Sequence, residues 1–209
     1  SDLESGRVST PSESTIKLTD RLRSQGYCLA LSTVEPRKDY PTILAAFEQL
    51  WSEGIGLSLV IVGKQGWNIE ALAEQLRTHE SYGERLFWIE QAGDGDVAHL
   101  ISNATCLVQA SLAEGFGLAV AEAGSKGVPL FLSDLAVFRE IAGKDAAYFP
   151  VRDHRALAGA LSRAYRSGEW ISPKDVVAMS WAESSRTLAD ILLGPVSRES
   201  GASASSPQR

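Results

Sequence analysis

The feature that most restricts the fold of this sequence is a regular alternation of two patterns. Short, unbroken apolar runs recur as "YCLALST" (27–33), "LSLVIVG" (57–63), "RLFWIE" (85–90), "TCLVQAS" (105–111), "VPLFLSD" (128–134) and "AAYFPV" (146–151). Between them lie segments with apolar residues at helical spacing. In "YPTILAAFEQLWSEG", Leu44, Phe47 and Leu50 recur at steps of three. "WNIEALAEQLRTH", "DGDVAHLISNA", "GLAVAEAGSKG", "LAVFREIAG" and "HRALAGALSRAYRSG" read the same way. Strands that are apolar on both faces need cover on both faces, and helices between strands make neighbouring strands parallel. The expected fold is α/β: a doubly wound, mostly parallel sheet with helices on both faces and right-handed crossovers. A last amphipathic helix is expected after Pro173, with Val176, Val177, Trp181, Leu188 and Ile191 on its apolar side.

The ends differ from this pattern. Residues 1–24 read as a polar N-terminal segment or linker, 25–194 as the ligand-binding domain, and 195–209 as a disordered tail rich in Ser, Gly and Pro. The net charge of -6 argues against a general nucleic-acid binder, which would carry excess Lys and Arg. No apolar run is long enough to span a bilayer, and "SDLESGRVSTPSES" lacks the layout of a signal peptide. The expected location is the cytoplasm. Cys28 and Cys106 sit in apolar runs far apart in sequence, without metal-type spacing. They read as two buried free thiols in a reducing compartment.

In a sheet of this kind ligands bind beyond the carboxyl ends of the strands. Three loops there have unusual composition: Ser32 to Lys38, Gly63 to Trp67, and Ser111 to Leu118. The last opens "AEGFGLAVAEAGSKGVP" (113–129), where Glu114 and Glu122 stand seven residues apart around Gly115 and Gly117. Glycines let the backbone turn tightly and approach a ligand. The N–H groups from Phe116 to Ala119, at a helix start, lack intrahelical acceptors and suit phosphate. On its own this is also what a plain strand-to-helix loop with glycines would look like. Neither a dinucleotide G-x-G-x-x-G after the first strand nor a P-loop motif is present.

Arg37 and Lys38, in the loop after the first strand, offer a planar fork and a mobile point charge to a diphosphate; alone they also read as a solvated pair. Acids repel phosphate, so Glu114 and Glu122 need another role. A carboxylate accepts hydrogen bonds from neighbouring sugar hydroxyls. One ligand with a central phosphate and a hydroxyl-rich sugar at each end suits all these groups: a nucleoside diphosphate sugar.

On these residues the chain resembles the C-terminal, donor-binding domain of retaining glycosyltransferases with two Rossmann-like domains, the family 4 type of the GT-B fold. The resemblance runs from about Tyr27 to Leu193. It rests on "EPRKDYPTILAAF", "LVIVGKQGW", "QASLAEGFGLAVAEAGSKGVPLFLSD" and "SWAESSRTLADIL". It implies that Arg37 and Lys38 hold the diphosphate and stabilise the leaving group. Glu114 would bind the transferred sugar and Glu122 the ribose. Phe116, Gly117 and Leu118 would present backbone amides, and Gly63 and Lys64 would border the nucleotide. Ser32 departs from the glycine frequent there: its side chain either crowds the phosphates or binds them.

The resemblance further implies a hexose-type sugar moved from a sugar nucleotide to a glycan or lipid-linked glycan, with no metal or other cofactor. The acceptor would be held by an N-terminal domain, in cis or in trans, which would also meet the membrane surface. The alternatives are a non-catalytic nucleotide-sugar-binding or scaffold domain and, with less support, a sugar-nucleotide epimerase. His79, His99 and His154 read as surface or packing residues. Trp51, Trp88, Trp170 and Trp181 read as packing residues, Trp67 as a candidate neighbour of the base, and Asp94 or Asp96 as a helix cap.

Overall fold

The computed structural model describes residues 9–174 and Val176, and each apolar run forms a strand there. The strands are β1 (Tyr27–Leu31), β2 (Ser58–Val62), β3 (Leu86–Ile89), β4 (Cys106–Gln109), β5 (Leu130–Ser133) and β6 (Ala147–Phe149). The helices are α1 (Glu13–Leu22), α2 (Tyr40–Ser52), α3 (Glu70–Thr78), α4 (Asp94–Asn103), α5 (Leu118–Ser125), α6 (Ala136–Ala142) and α7 (His154–Ser167). A 3-10 turn spans Pro36–Lys38.

The six strands make one sheet in the order β3-β2-β1-β4-β5-β6, with every pairing parallel. The sheet is therefore wholly parallel, and the expected doubly wound architecture is present. Strand side chains alternate between faces, so two cores form. Leu59 and Ile61 of β2 face one core, built with Phe47 of α2, Leu76 of α3 and Leu161 of α7. Val60 and Val62 face the other, built with Leu22 of α1, Leu100 of α4, Val120 of α5 and Phe138 of α6. Each fully buried side chain of this size contributes about 1.5–3 kcal/mol. Phe47, fully buried, is the kind of residue whose truncation to Ala costs about 3–5 kcal/mol.

The chain turns from one side of β1 to the other between β3 and β4. Loops after β1 and β4 thus diverge to opposite faces and leave a crevice at the carboxyl edge, the switch point of a doubly wound sheet.

Three expectations need correction. Cys28 and Cys106 are not separate thiols. Parallel pairing of β1 with β4 makes them register partners, fully buried, with Cα atoms 4.9 Å apart and the sulfurs joined as a disulfide. Residues 78 apart in sequence meet because adjacent parallel strands need not be consecutive. Next, part of the 1–24 segment is folded. Ser12 caps α1 by accepting from the Thr15 amide at 3.3 Å, and Leu22 is fully buried. This helix escapes a reading of the sequence because α1 is polar on most of its surface and two of its three buried residues are threonines. Lastly, the α4 cap position is Gly93 rather than an aspartate. Asp96 sits in the first turn, accepting from the Gly93 amide at 3.2 Å and from Ser12 N and Oγ, each at 2.7 Å. The helix expected after Pro173 and the tail at 195–209 lie outside the described residues, apart from Val176.

Candidate functional site

The crevice at the carboxyl edge holds two adjoining cavities. The first, of about 310 Å³, is lined by Ser32, Lys38, Gln109, Glu114, Glu122 and the first turn of α5 from Gly117 to Val120, among others. The second, of about 760 Å³, lies beyond β2 and β3 and is lined by Gly63, Lys64, Glu90, Gln91, Gly93 and Val97, among others. Leu31 and Ser32, at the end of β1, form a wall of both.

Gly117 starts α5 with φ +58. Its missing side chain matters twice: a Cβ there would be strained, and it would sit 2.8 Å from Ile141 Cδ1. The Val120 and Ala121 amides bond back to the Gly117 carbonyl at 2.9 and 3.1 Å. The amides of Leu118 and Ala119 precede the first intrahelical bonds and stand at the positive end of the helix dipole. This first turn lines the first cavity.

Glu114 lies across that cavity, held by three side chains. Its Oε1 accepts from Lys38 Nζ and from Ser111 Oγ at 2.8 Å. Its Oε2 accepts from Arg37 Nη1 at 3.2 Å. Burial pushes the Glu114 carboxyl up, but the hydrogen bonds from Lys38 and Ser111 and the charges of Lys38 and Arg37 outweigh it. The carboxyl is thereby held below its ordinary range. Arg37 also donates to the Ala113 carbonyl at 2.8 Å and, through Nη2, to Glu35 Oε1 at 2.7 Å. Glu122 is half exposed, with Lys126 Nζ 3.2 Å from its Oε1.

The end of β1 is fixed from below. Tyr40, buried in α2, donates its hydroxyl to the Ser32 carbonyl at 3.0 Å, and its oxygen lies 2.9 Å from Ser32 Oγ. Burial pushes the Tyr40 phenol well up, which keeps it a protonated donor. Gly63, with φ +149, lets β2 pass so close that a Cβ there would lie 1.9 Å from the Ser32 carbonyl oxygen. Gln109, buried on β4, donates to the Leu31 carbonyl at 2.8 Å and ties the two central strands together at the cavity.

The sequence-expected residues are thus sorted by position. Ser32, Lys38, Glu114, Gly117, Leu118 and Glu122 share the first cavity. Gly63 and Lys64 line the second. Arg37 lines neither, nor does Phe116, which is 71% exposed. Trp67 is 65% exposed and lines neither cavity. His79 and His99 are packing residues: His79 bonds Glu48 at 3.3 Å and His99 bonds Thr19 at 2.9 Å. Among the described residues, no three His, Cys, Asp or Glu side chains converge as a metal-ligand set. Sequence reasoning missed Glu35, Tyr40, Gln109 and Ser111. A signal existed for Gln109 and Ser111: polar residues at the end of the otherwise apolar run "CLVQAS".

The sequence pattern of the family described as Glycosyl transferases group 1 matches residues 20–177. Among curated proteins, the serotype-specific mannosyltransferase WbdA of Escherichia coli is 46% identical over 121 residues. That match covers 58% of this chain and 15% of WbdA. The O-antigen chain mannosyltransferase B of Escherichia coli is 30% identical over 154 residues, covering 72% of this chain and 39% of that protein. The chain therefore spans well under half the length of these relatives. Among solved structures, Anabaena Alr3699/HepE in complex with UDP and glucose has a similar fold. Its TM-score is 0.67 at 17% identity, over 90% of this chain and 54% of that one. The pneumococcal O-GlcNAc transferase GtfA in complex with UDP and GlcNAc gives a TM-score of 0.63 at 18% identity, over 83% and 38%.

Proposed function

We propose, from the premise that this chain belongs to the glycosyl transferases group 1 family, that it is the donor-binding part of a retaining glycosyltransferase. Sugar transfer is the activity named for the two curated relatives described above, each a mannosyltransferase. The finer reading is ours. The donor is a nucleoside diphosphate sugar carrying a hexose, and the acceptor is a glycan or lipid-linked glycan. One observation carries the reading: Lys38, Glu114, Glu122 and the first amides of α5 line one cavity, which adjoins a second through Leu31 and Ser32. That juxtaposition offers donors for phosphate, acceptors for hydroxyls on either side, and adjacent room for a base. The UDP held by the HepE and GtfA structures supports a nucleotide-sugar ligand for the fold they share with this chain.

In this reading the diphosphate lies between Lys38 and the N-terminus of α5. As the anomeric carbon–oxygen bond breaks, negative charge grows on the leaving phosphate. Fixed donors already aimed there stabilise it without reorganising, which is the largest single source of rate enhancement in many enzymes. Lys38 and the α5 amides supply this charge stabilisation, so the reaction proceeds without a metal. Glu114 accepts hydroxyls of the transferred sugar, and Glu122, one turn into α5, those of the ribose. An N-terminal domain, in cis or in trans, holds the acceptor hydroxyl at the anomeric carbon and meets the membrane surface, with the reaction in the cytoplasm.

Calorimetric titration with nucleoside mono- and diphosphates and sugar nucleotides tests donor binding. Dissociation constants between micromolar and millimolar are expected, about -8 to -4 kcal/mol. Supplying an acceptor domain should then yield transfer. An inverted product anomer by NMR contradicts retention, and binding without transfer favours the non-catalytic reading.

A further inference from the structure

We infer that Arg37 is a positioning residue rather than a phosphate ligand: it clamps the loop after β4 and presents Glu114, leaving Lys38 as the diphosphate cation. This rests on the donor-binding reading above.

The two cations are neighbours in sequence but not in role. Lys38 is on the wall of the first cavity, while Arg37 lines neither cavity. A guanidinium has five N–H donors. Both on Nη1 are taken, by the Ala113 carbonyl at 2.8 Å and Glu114 Oε2 at 3.2 Å. One on Nη2 is taken by Glu35 Oε1 at 2.7 Å. The Arg37 carbonyl accepts the Leu112 amide at 2.8 Å, so backbone and side chain of one residue grip both sides of the turn from Leu112 to Glu114. Lys38 makes one side-chain contact, to Glu114 Oε1, and has further donors to offer.

The 3-10 turn explains the split. Pro36 starts it, and adjacent residues on so tight a turn project about a third of a turn apart. Lys38 is thereby turned to the cavity and Arg37 toward the loop after β4. Glu35, 2.7 Å from Arg37 and largely covered, fixes the other end of the fork. Lysine would replace Arg37 only in part, because a point charge lacks the fork that here reaches a carbonyl and two carboxylates at once.

The test uses ligand ratios, which a merely structural loss leaves alone because it scales all ligands together. The 209-residue chain and its Arg37→Ala, Arg37→Lys, Lys38→Ala and Glu114→Gln variants are titrated calorimetrically. The probes are GMP, GDP and GDP-mannose, and UMP, UDP and UDP-glucose. The diphosphate-to-monophosphate affinity ratio reports on phosphate contact, and the sugar-nucleotide-to-diphosphate ratio on sugar contact. Arg37→Ala should lower the sugar ratio about fivefold or more, toward the Glu114→Gln value, and leave the phosphate ratio within about twofold. Lys38→Ala should lower the phosphate ratio about tenfold. Arg37→Lys should fall between wild type and Arg37→Ala in the sugar ratio, and it serves as the variant if Arg37→Ala does not fold. A phosphate ratio that falls in Arg37→Ala as it does in Lys38→Ala overturns the inference. So does a sugar ratio unchanged in Arg37→Ala while Glu114→Gln lowers it. If wild type binds neither series, or Glu114→Gln leaves the sugar ratio unmoved, the underlying donor reading has failed and the inference goes with it.

Discussion

Replacing Gly63 with alanine should destabilise the fold sharply while leaving its composition almost untouched. The added Cβ would lie 1.9 Å from the Ser32 carbonyl oxygen and 2.6 Å from its carbon, at a φ of +149. Neither partner can yield freely. Ser32 is held by its amide to the Val62 carbonyl at 3.1 Å and by the Tyr40 hydroxyl at 3.0 Å. Gly63 is held by its amide to the Ile89 carbonyl at 3.0 Å and by Trp88 Nε1 on its own carbonyl at 2.8 Å. Backbone strain at such a φ costs about 1–3 kcal/mol, and forcing atoms into packed space about 1–3 more. Losing one or two hydrogen bonds adds about 1 each. Because one backbone shift relieves several of these together, the expected loss is about 4 kcal/mol. For a domain of this size that lowers the melting temperature by roughly 8–16 °C. Urea unfolding followed by circular dichroism reads the change, with Gly115→Ala as the control. Gly115 has open space around a Cβ and no positive φ, so that control should stay within about 0.5 kcal/mol. A Gly63→Ala midpoint within about 1 kcal/mol of wild type would show that the β1 and β2 ends are not locked together as described.

Three further outcomes are expected. Lys38→Ala should weaken nucleoside diphosphate binding by about 1.5–3 kcal/mol by calorimetry, as one charged hydrogen bond is lost; unchanged affinity removes Lys38 from the site. Glu122→Gln should weaken nucleoside diphosphate and sugar nucleotide alike, whereas Glu114→Gln should weaken the sugar nucleotide more; equal losses for Glu114→Gln would exclude it from the transferred sugar. Bonds from Ser12 N and Oγ hold the Asp96 carboxyl at about 2 against an ordinary 3.8, so its stabilisation is full above the higher value and lost as pH falls through the lower. The stability difference between wild type and Asp96→Asn should accordingly shrink between about pH 4 and pH 2; a difference that does not vary with pH there contradicts the assignment.

The strands were legible because a parallel strand covered on both faces is apolar nearly throughout, as in the "LVIV" of β2. The cavity residues of "AEGFGL" were legible because glycines and acids at a strand end have little reason to be there in a plain core. Glu35 and Tyr40 were not: a glutamate next to a proline and a tyrosine opening a helix look like surface residues until the fold sets one against Arg37 and the other under Ser32. Nor was the parting of Arg37 from Lys38, since adjacency in sequence says nothing of direction on a turn. The Cys28–Cys106 pairing was hidden by strand order, which only the closed sheet supplies.

The pairing around Glu114 bears on which ligands the cavity admits. Two cations, Arg37 and Lys38, face two carboxylates, Glu35 and Glu114, so the cluster is neutral as it stands. The four side chains cancel at a distance, so the attraction left for an anion comes from the α5 amides and the open donors of Lys38. On the donor-binding reading, inorganic phosphate on the Lys38 donors that Glu114 leaves open lies beside that carboxylate and offers it only repulsion. A molecule bearing phosphate and hydroxyls together suits both groups: its phosphate takes the open donors of the ammonium, and its hydroxyls donate to the carboxylate beside it. On that reading, selectivity against simple anions arises from an internal counter-ion rather than from the size or shape of the opening.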